Sequence, residues 1–135
     1  VIAYVDEHFA YHGGVIAPGV GISLDALTQN GALLPSVDLR APKNVICTNT
    51  VDCIRSAMTY GSACMIDGLI DKFAEEKNSE CKIIATGGLA KSIICSCRHE
   101  ITYDENIILE GLNRIYQRNN GCRGCFLCRK SLFYL

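Results

Sequence analysis

Apolar and polar positions change period several times along this chain, and each change marks an element. Val1 to Val5 reads as a strand; after Asp6-Glu7-His8 a second short strand, Phe9 to Tyr11, leads into Gly13-Gly14-Val15-Ile16-Ala17-Pro18-Gly19. That order predicts a hairpin ending in a glycine-rich turn. From Val20 to about Gln29 the period becomes helical, with Ile22, Leu24, Ala26 and Leu27 on the apolar side and Asn30-Gly31 at the end. Leu34 to Thr48, which carries Pro35 and Pro42, has no period and predicts an irregular connection over the surface. The longest helix is expected from Asn49 or Thr50 to about Lys77, because Asn and Thr are good N-caps and Asp52 complements the helix dipole. Val51, Ile54, Met58, Met65, Leu69 and Phe73 form its core-facing stripe. Ala57, Gly61, Cys64 and Gly68 form a second stripe of small residues, suited to close packing on a helix of the same chain or of a second subunit.

The C-terminal half alternates in the same way. Lys82-Ile83-Ile84-Ala85 is short, apolar and partly β-branched, as a strand buried on both faces tends to be. Leu89 to Cys97 reads as helix, Glu100 to Tyr103 as strand, and Asp104 to Asn119 as a last helix. Asp104 is its expected cap, and Ile108, Leu112 and Ile115 are expected to face inward. Beyond Asn120-Gly121 the periodicity stops. Strands alternating with helices predict an α/β layered domain over residues 1–119 and a separate, disordered Cys-rich tail over 120–135.

Composition narrows the partners. The chain has 135 residues, about half of them apolar, enough for one core. Its 13 basic and 14 acidic side chains leave no broad cationic face for a phosphate backbone, so nucleic acid is not an expected partner. No apolar run approaches a membrane span and no signal segment opens the chain, which predicts a soluble, cytoplasmic protein with no membrane partner. Of nine cysteines, Cys47, Cys53, Cys64, Cys81, Cys95 and Cys97 lie in or beside regular patterns, consistent with reduced, small apolar residues. His8, His12 and His99 match no ligand spacing and read as surface histidines, and Asp71, Glu75, Glu76 and Glu80 as a solvated helix face and its exit.

The candidate chemistry lies in Thr86-Gly87-Gly88-Leu89-Ala90, where a strand breaks as a helix begins. Two glycines there serve either a plain tight turn or a ligand that touches the backbone, with room for a ribose or phosphate. Thr50 is likewise open between an N-cap hydroxyl and a ligand contact. Cys122-x-x-Cys125-x-x-Cys128 could offer three thiolates to zinc or an iron–sulfur cluster, but no fourth ligand is evident, and three clustered cysteines at a disordered end is the simpler reading.

Gly13 through Gly19, Asn49-Thr50 opening a long helix, Thr86 through Ala90, and Asp104 through Leu109-Glu110-Gly111-Leu112 to Ile115-Tyr116 and Arg118-Asn119 occur in one order. Together they closely resemble the C-terminal half of type III pantothenate kinases. The resemblance implies a ribonuclease-H-like domain of the actin, sugar kinase and Hsp70 ATPase superfamily, the second half of a two-domain kinase. It implies transfer of the γ-phosphoryl of ATP to pantothenate, the first step toward coenzyme A, with Mg and a monovalent cation (K or NH4) as cofactors and a homodimer as the assembly. Residue by residue, Thr50 matches the family threonine that hydrogen-bonds pantothenate, Gly87 and Gly88 match the turn against the nucleotide, and Thr86 lies beside them. Gly13 and Gly14 are expected to serve a turn.

The departures from the family pattern matter equally. The phosphate-holding Asp-x-Gly-Asn-Thr turn, the Gly-Ala-Asp-Arg segment with the proposed base, and the cation-linked Asp-x-Gly-Thr-Ala-x-Thr strand are not in this sequence. Ala57 stands where relatives often have glycine. With no initiator Met either, the expectation is a fragment without a catalytic residue, inactive alone. The alternatives are a non-catalytic interaction protein related to the family, or a metal-binding module built on the cysteine tail.

Overall fold

The computed structural model describes residues 1–31 and 34–119. Strands β1 (Ile2–Val5) and β2 (Tyr11–Val15) pair antiparallel, Ile2 opposite Val15, Ala3 opposite Gly14 and Tyr4 opposite Gly13. The register then slips so that Val5 faces Tyr11, and His12 is the extra residue of a bulge. Asp6 builds the connection. Its Oδ1 accepts the N–H groups of His8 at 2.9 Å and Ala10 at 2.8 Å, while Phe9 takes a positive φ of 62°.

The expected glycine turn is therefore corrected. Gly13 and Gly14 lie inside the second strand, which begins at Tyr11 and not at Phe9. A side chain on Gly14 would overlap the Ile2 carbonyl oxygen, and Gly13 has a φ of 110°, so the glycines permit close strand approach and a bulge.

Helix α1 (Val20–Asn30) ends at Gly31, whose N–H donates to the Leu27 carbonyl at 2.9 Å, as the sequence predicts. Its expected apolar side is only partly realised: Leu24 is half-buried, whereas Ile22, Ala26 and Leu27 are exposed. The connection that follows is more than a surface wrap, because Val37 is buried and three side chains of the long helix lace it down. Arg55 pairs with the Asp38 carboxylate, the Ser56 hydroxyl donates to the Val45 carbonyl at 2.6 Å, and the Tyr60 hydroxyl donates to the Pro42 carbonyl at 2.7 Å.

The long helix spans the expected range but is interrupted. Helix α2 (Thr50–Ser56) passes through a π-helical turn (Ala57–Gly61) into α3 (Ser62–Lys77), which stops at Asn78 in a left-handed conformation. The extra residue of the π turn rotates everything beyond it. Ile54, Thr59, Ala63 and Asp67 are the buried positions of one continuous face, and Met65, expected in the core, is 41% exposed. Helix α1 and the short helix at Ala90–Ile94 both pack on the π turn, which places the core there.

Strands β3 (Ile83–Ala85) and β4 (Ile101–Tyr103) pair parallel, Ile83 opposite Ile101 and Ala85 opposite Tyr103, joined across α4 (Ala90–Ile94). The β3 residues are half-buried and not enclosed on both faces. Helix α4 is shorter than expected and unwinds through tighter bonds from Ser96 N–H to Ile93 O and Cys97 N–H to Ile94 O.

Helix α5 covers Ile107–Asn119. Asp104 does not cap it: Asp104 Oδ1 accepts from Asn106 N–H at 2.8 Å in a local turn, and the first helical bond runs from Glu110 N–H to Asn106 O. Ile108, Leu112 and Ile115 do not face inward but are 58–59% exposed. Among the described residues only Val37, Ile54, Ala63 and Ile93 are buried apolar side chains. The expected tail, with Cys122, Cys125 and Cys128, lies outside the described residues.

Candidate functional site

Thr50 opens α2, but Asn49 is the residue that caps it. Asn49 Oδ1 accepts from Asp52 N–H at 2.9 Å and its amide donates to Asp52 Oδ2 at 2.8 Å, a reciprocal cap. The Asn49 hydrogen bond, then the bond from Arg55, holds the Asp52 carboxyl below its ordinary range. Arg55 is in turn raised, first by Asp38 and then by Asp52. The Thr50 hydroxyl is exposed and makes no hydrogen bond among the described residues. Its own helix does not need it, so it is free to both donate and accept.

The second candidate is the turn between β3 and α4. Gly87 has a φ of 99°, a conformation that side-chain-bearing residues rarely adopt. A Cβ built on Gly87 or on Gly88 meets nothing within 4 Å, so both glycines face open space. The Gly87 carbonyl accepts from Ala90 N–H at 3.2 Å and from the Tyr103 hydroxyl at 3.3 Å. Thr86 differs: its Oγ1 is enclosed and has no hydrogen-bond partner among the described residues, so in this rotamer the hydroxyl offers nothing to a ligand. Thr50 and the glycine turn stand on separate elements, and no hydrogen bond joins them.

The third feature was not legible in the sequence. Asp67, 3% exposed, accepts from the backbone N–H of Arg98 at 2.8 Å and of His99 at 3.3 Å. One turn further along α3, Asp71 Oδ1 lies 2.7 Å from His99 Nε2, and Asp71 Oδ2 accepts from the Arg98 guanidinium at 2.8 Å. His99, then Arg98, holds the Asp71 carboxyl below its ordinary range. This clamp captures the chain where α4 unwinds, and it explains the early end of that helix. His99 and Asp71, both partly exposed, are thus paired across 28 residues, a link that the reading as a surface histidine and a solvated acid does not include. The i,i+4 spacing of Asp67 and Asp71 puts both acids on one helix face, but nothing in the sequence sets that face against Arg98 and His99.

His12 also has a partner, its Nε2 lying 2.8 Å from Asp6 Oδ2 with the ring tilted against Tyr4. The six described cysteines are free thiols. Desolvation, aided by Asp52, raises the Cys47 thiol, and desolvation with Asp67 raises Cys97, so neither is an activated thiolate. Among the described residues no group of three His, Cys, Asp or Glu converges on a metal position, and no helix is long and apolar enough to cross a membrane.

Fold and site define an α/β domain with an open glycine turn after a parallel strand and an unused threonine hydroxyl at a helix mouth. The sequence profile of type III pantothenate kinase matches residues 1–72. The type III pantothenate kinase of Solibacter usitatus is 49% identical over 110 residues, covering 82% of this chain and 42% of that protein. Those of Exiguobacterium sp. and Halalkalibacterium halodurans are 41% identical over 116 residues and 40% over 115, covering 86% and 85% of this chain and 45% of each relative. The chain belongs to the type III pantothenate kinase family. It spans less than half the length of these curated relatives.

Proposed function

We propose that this chain is the nucleotide- and pantothenate-binding half of a cytoplasmic kinase that transfers the γ-phosphoryl group of ATP to the hydroxyl of pantothenate, giving 4′-phosphopantothenate for coenzyme A biosynthesis. The observation that carries the reading is family membership combined with a Thr50 hydroxyl that Asn49 has relieved of capping. Residues 1–119 are, on this reading, the second ribonuclease-H-like domain of the actin and sugar kinase type. Thr50 hydrogen-bonds pantothenate. The Gly87-Gly88 backbone lies against the adenosine side of ATP, where the absence of side chains leaves room for the ribose. Thr86 serves through its backbone, or through its hydroxyl after rotation about χ1.

Phosphoryl transfer depends mainly on in-line positioning and charge neutralisation, with a carboxylate to accept the hydroxyl proton. This chain supplies positioning. The carboxylate belongs to the Gly-Ala-Asp-Arg segment that family members carry outside the region matched here. Mg²⁺ and a monovalent cation would neutralise phosphate charge when bound; among the described residues no three His, Cys, Asp or Glu side chains gather at one position. The exposed small-residue face of Ala57, Gly61, Cys64 and Gly68 is the proposed contact with a second subunit.

The test joins this chain to the segments that its relatives carry in addition and measures ATP-dependent phosphorylation of pantothenate. Thr50→Ala is expected to lower kcat/KM for pantothenate about tenfold, the effect of losing one substrate hydrogen bond, with KM for ATP unchanged. An unchanged pantothenate dependence removes Thr50 from the site. Binding of both ligands without turnover favours the non-catalytic relative instead.

A further inference from the structure

We propose that Tyr103 is a positioning residue for the glycine turn: its hydroxyl holds the Gly87-Gly88 peptide so that the Gly88 N–H is presented to a nucleotide. The proposal rests on the reading of Gly87 and Gly88 as nucleotide-binding. Parallel pairing sets Tyr103 directly beside Ala85, the last residue of β3, and the Asp104 N–H extends the pairing with a 2.9 Å bond to the Ala85 carbonyl. From this strand end the Tyr103 side chain reaches the turn as it leaves the neighbouring strand. Its hydroxyl donates to the Gly87 carbonyl at 3.3 Å, alongside the Ala90 N–H at 3.2 Å.

Two donors on one carbonyl fix a peptide plane. In a trans peptide the C=O and the following N–H point in opposite directions. With the Gly87 carbonyl drawn toward Tyr103 and Ala90, the Gly88 N–H of the same peptide is turned away from both. Glycine provides no steric preference to hold φ at 99°, so the orientation depends on what grips the carbonyl. The Tyr103 ring is half-buried, and Lys91 Nζ sits 6.0 Å from its centroid, which keeps the hydroxyl on station. Without that hydroxyl the peptide samples other orientations, and a nucleotide must order it on binding.

The experiment compares the full 135-residue chain with its Tyr103→Phe variant, which keeps the ring and loses only the oxygen. ATP and pantothenate affinities are measured by calorimetry, and exchange of the Ala90 amide, bonded to the Gly87 carbonyl, by NMR. The expected result is ATP binding weakened about three- to tenfold, the range for one neutral hydrogen bond, with pantothenate affinity and thermal midpoint unchanged. Exchange of the Ala90 amide, which donates to the same Gly87 carbonyl, is expected to accelerate with no ligand present. Equal ATP affinity in the two proteins overturns the proposal while leaving the proposed function intact. Parallel loss of ATP affinity, pantothenate affinity and thermal midpoint overturns it too, since that is the signature of a merely structural tyrosine. Failure of the unmodified chain to bind ATP counts against the nucleotide reading itself, and the Ala90 exchange then decides the tether alone, unchanged exchange in Tyr103→Phe overturning it.

Discussion

Buried polar groups decide the most at the scale of single residues. Thr59 sits in the π turn at 1% exposure, and its hydroxyl has no partner among the described residues. A desolvated, unpaired hydroxyl is destabilising, and valine has nearly the same shape without it. Thr59→Val is therefore expected to raise stability by about 1 kcal/mol in urea denaturation. Asp71 shows the opposite case, a carboxylate whose pKa is lowered by His99 and Arg98. A depressed folded pKa contributes stability that is present above the unfolded value of about 3.9 and lost as pH falls through the lower folded value. Asp71→Asn should flatten the acid side of the stability profile, read as a smaller drop in urea midpoint between about pH 5 and pH 2. Neither residue's role could be read from the sequence, because an i+28 partner or an unsatisfied buried hydroxyl exists only once the chain has folded.

Local chemistry made most elements legible, and tertiary geometry hid the rest. The start of the long helix followed from Asn49 and Asp52, and the end of α1 from Gly31, since caps act over three or four residues. The buried face beyond Ser56 could not be read, because the π turn adds a residue that a 3.6-residue period does not anticipate. In the candidate site the sequence located Thr50 and the glycine turn, but not Tyr103, whose link to Gly87 exists only through parallel pairing. Gly13 and Gly14 were recognisable as conformationally special, yet a turn and a bulged strand use glycine for the same reason. Gly14→Ala distinguishes these uses. In the strand its methyl group collides with the Ile2 carbonyl, so the hairpin must open and amide protection of β1 and β2 should fall. A turn glycine at that position would tolerate the change, and unaltered exchange would contradict the pairing.

Across the whole molecule, the distribution of apolar surface is the main observation. Four buried apolar side chains are few for the described residues of a domain this size, while Ile22, Met65, Leu89, Ile108, Leu109, Leu112 and Ile115 are exposed. Three of these recur along one side of α5, where the sequence pattern is that of a core-facing helix. Pattern and exposure conflict only if the described residues are the whole folding unit. The matched region makes up less than half of each curated relative, and the remainder provides the additional chain that such a face needs. The expectation is that this chain alone binds a hydrophobic dye such as ANS, and that joining it to the further segments of its relatives suppresses the dye signal and protects the α5 amides. Replacing Leu112 and Ile115 with Ser should leave the isolated chain nearly as stable, since both side chains are already in water. The same pair should destabilise the joined protein by about 2 kcal/mol or more, the scale of burying such side chains. Equal effects in both backgrounds would mean that α5 packs within this chain, and its exposed stripe would then have to be covered from residues 1–119 alone.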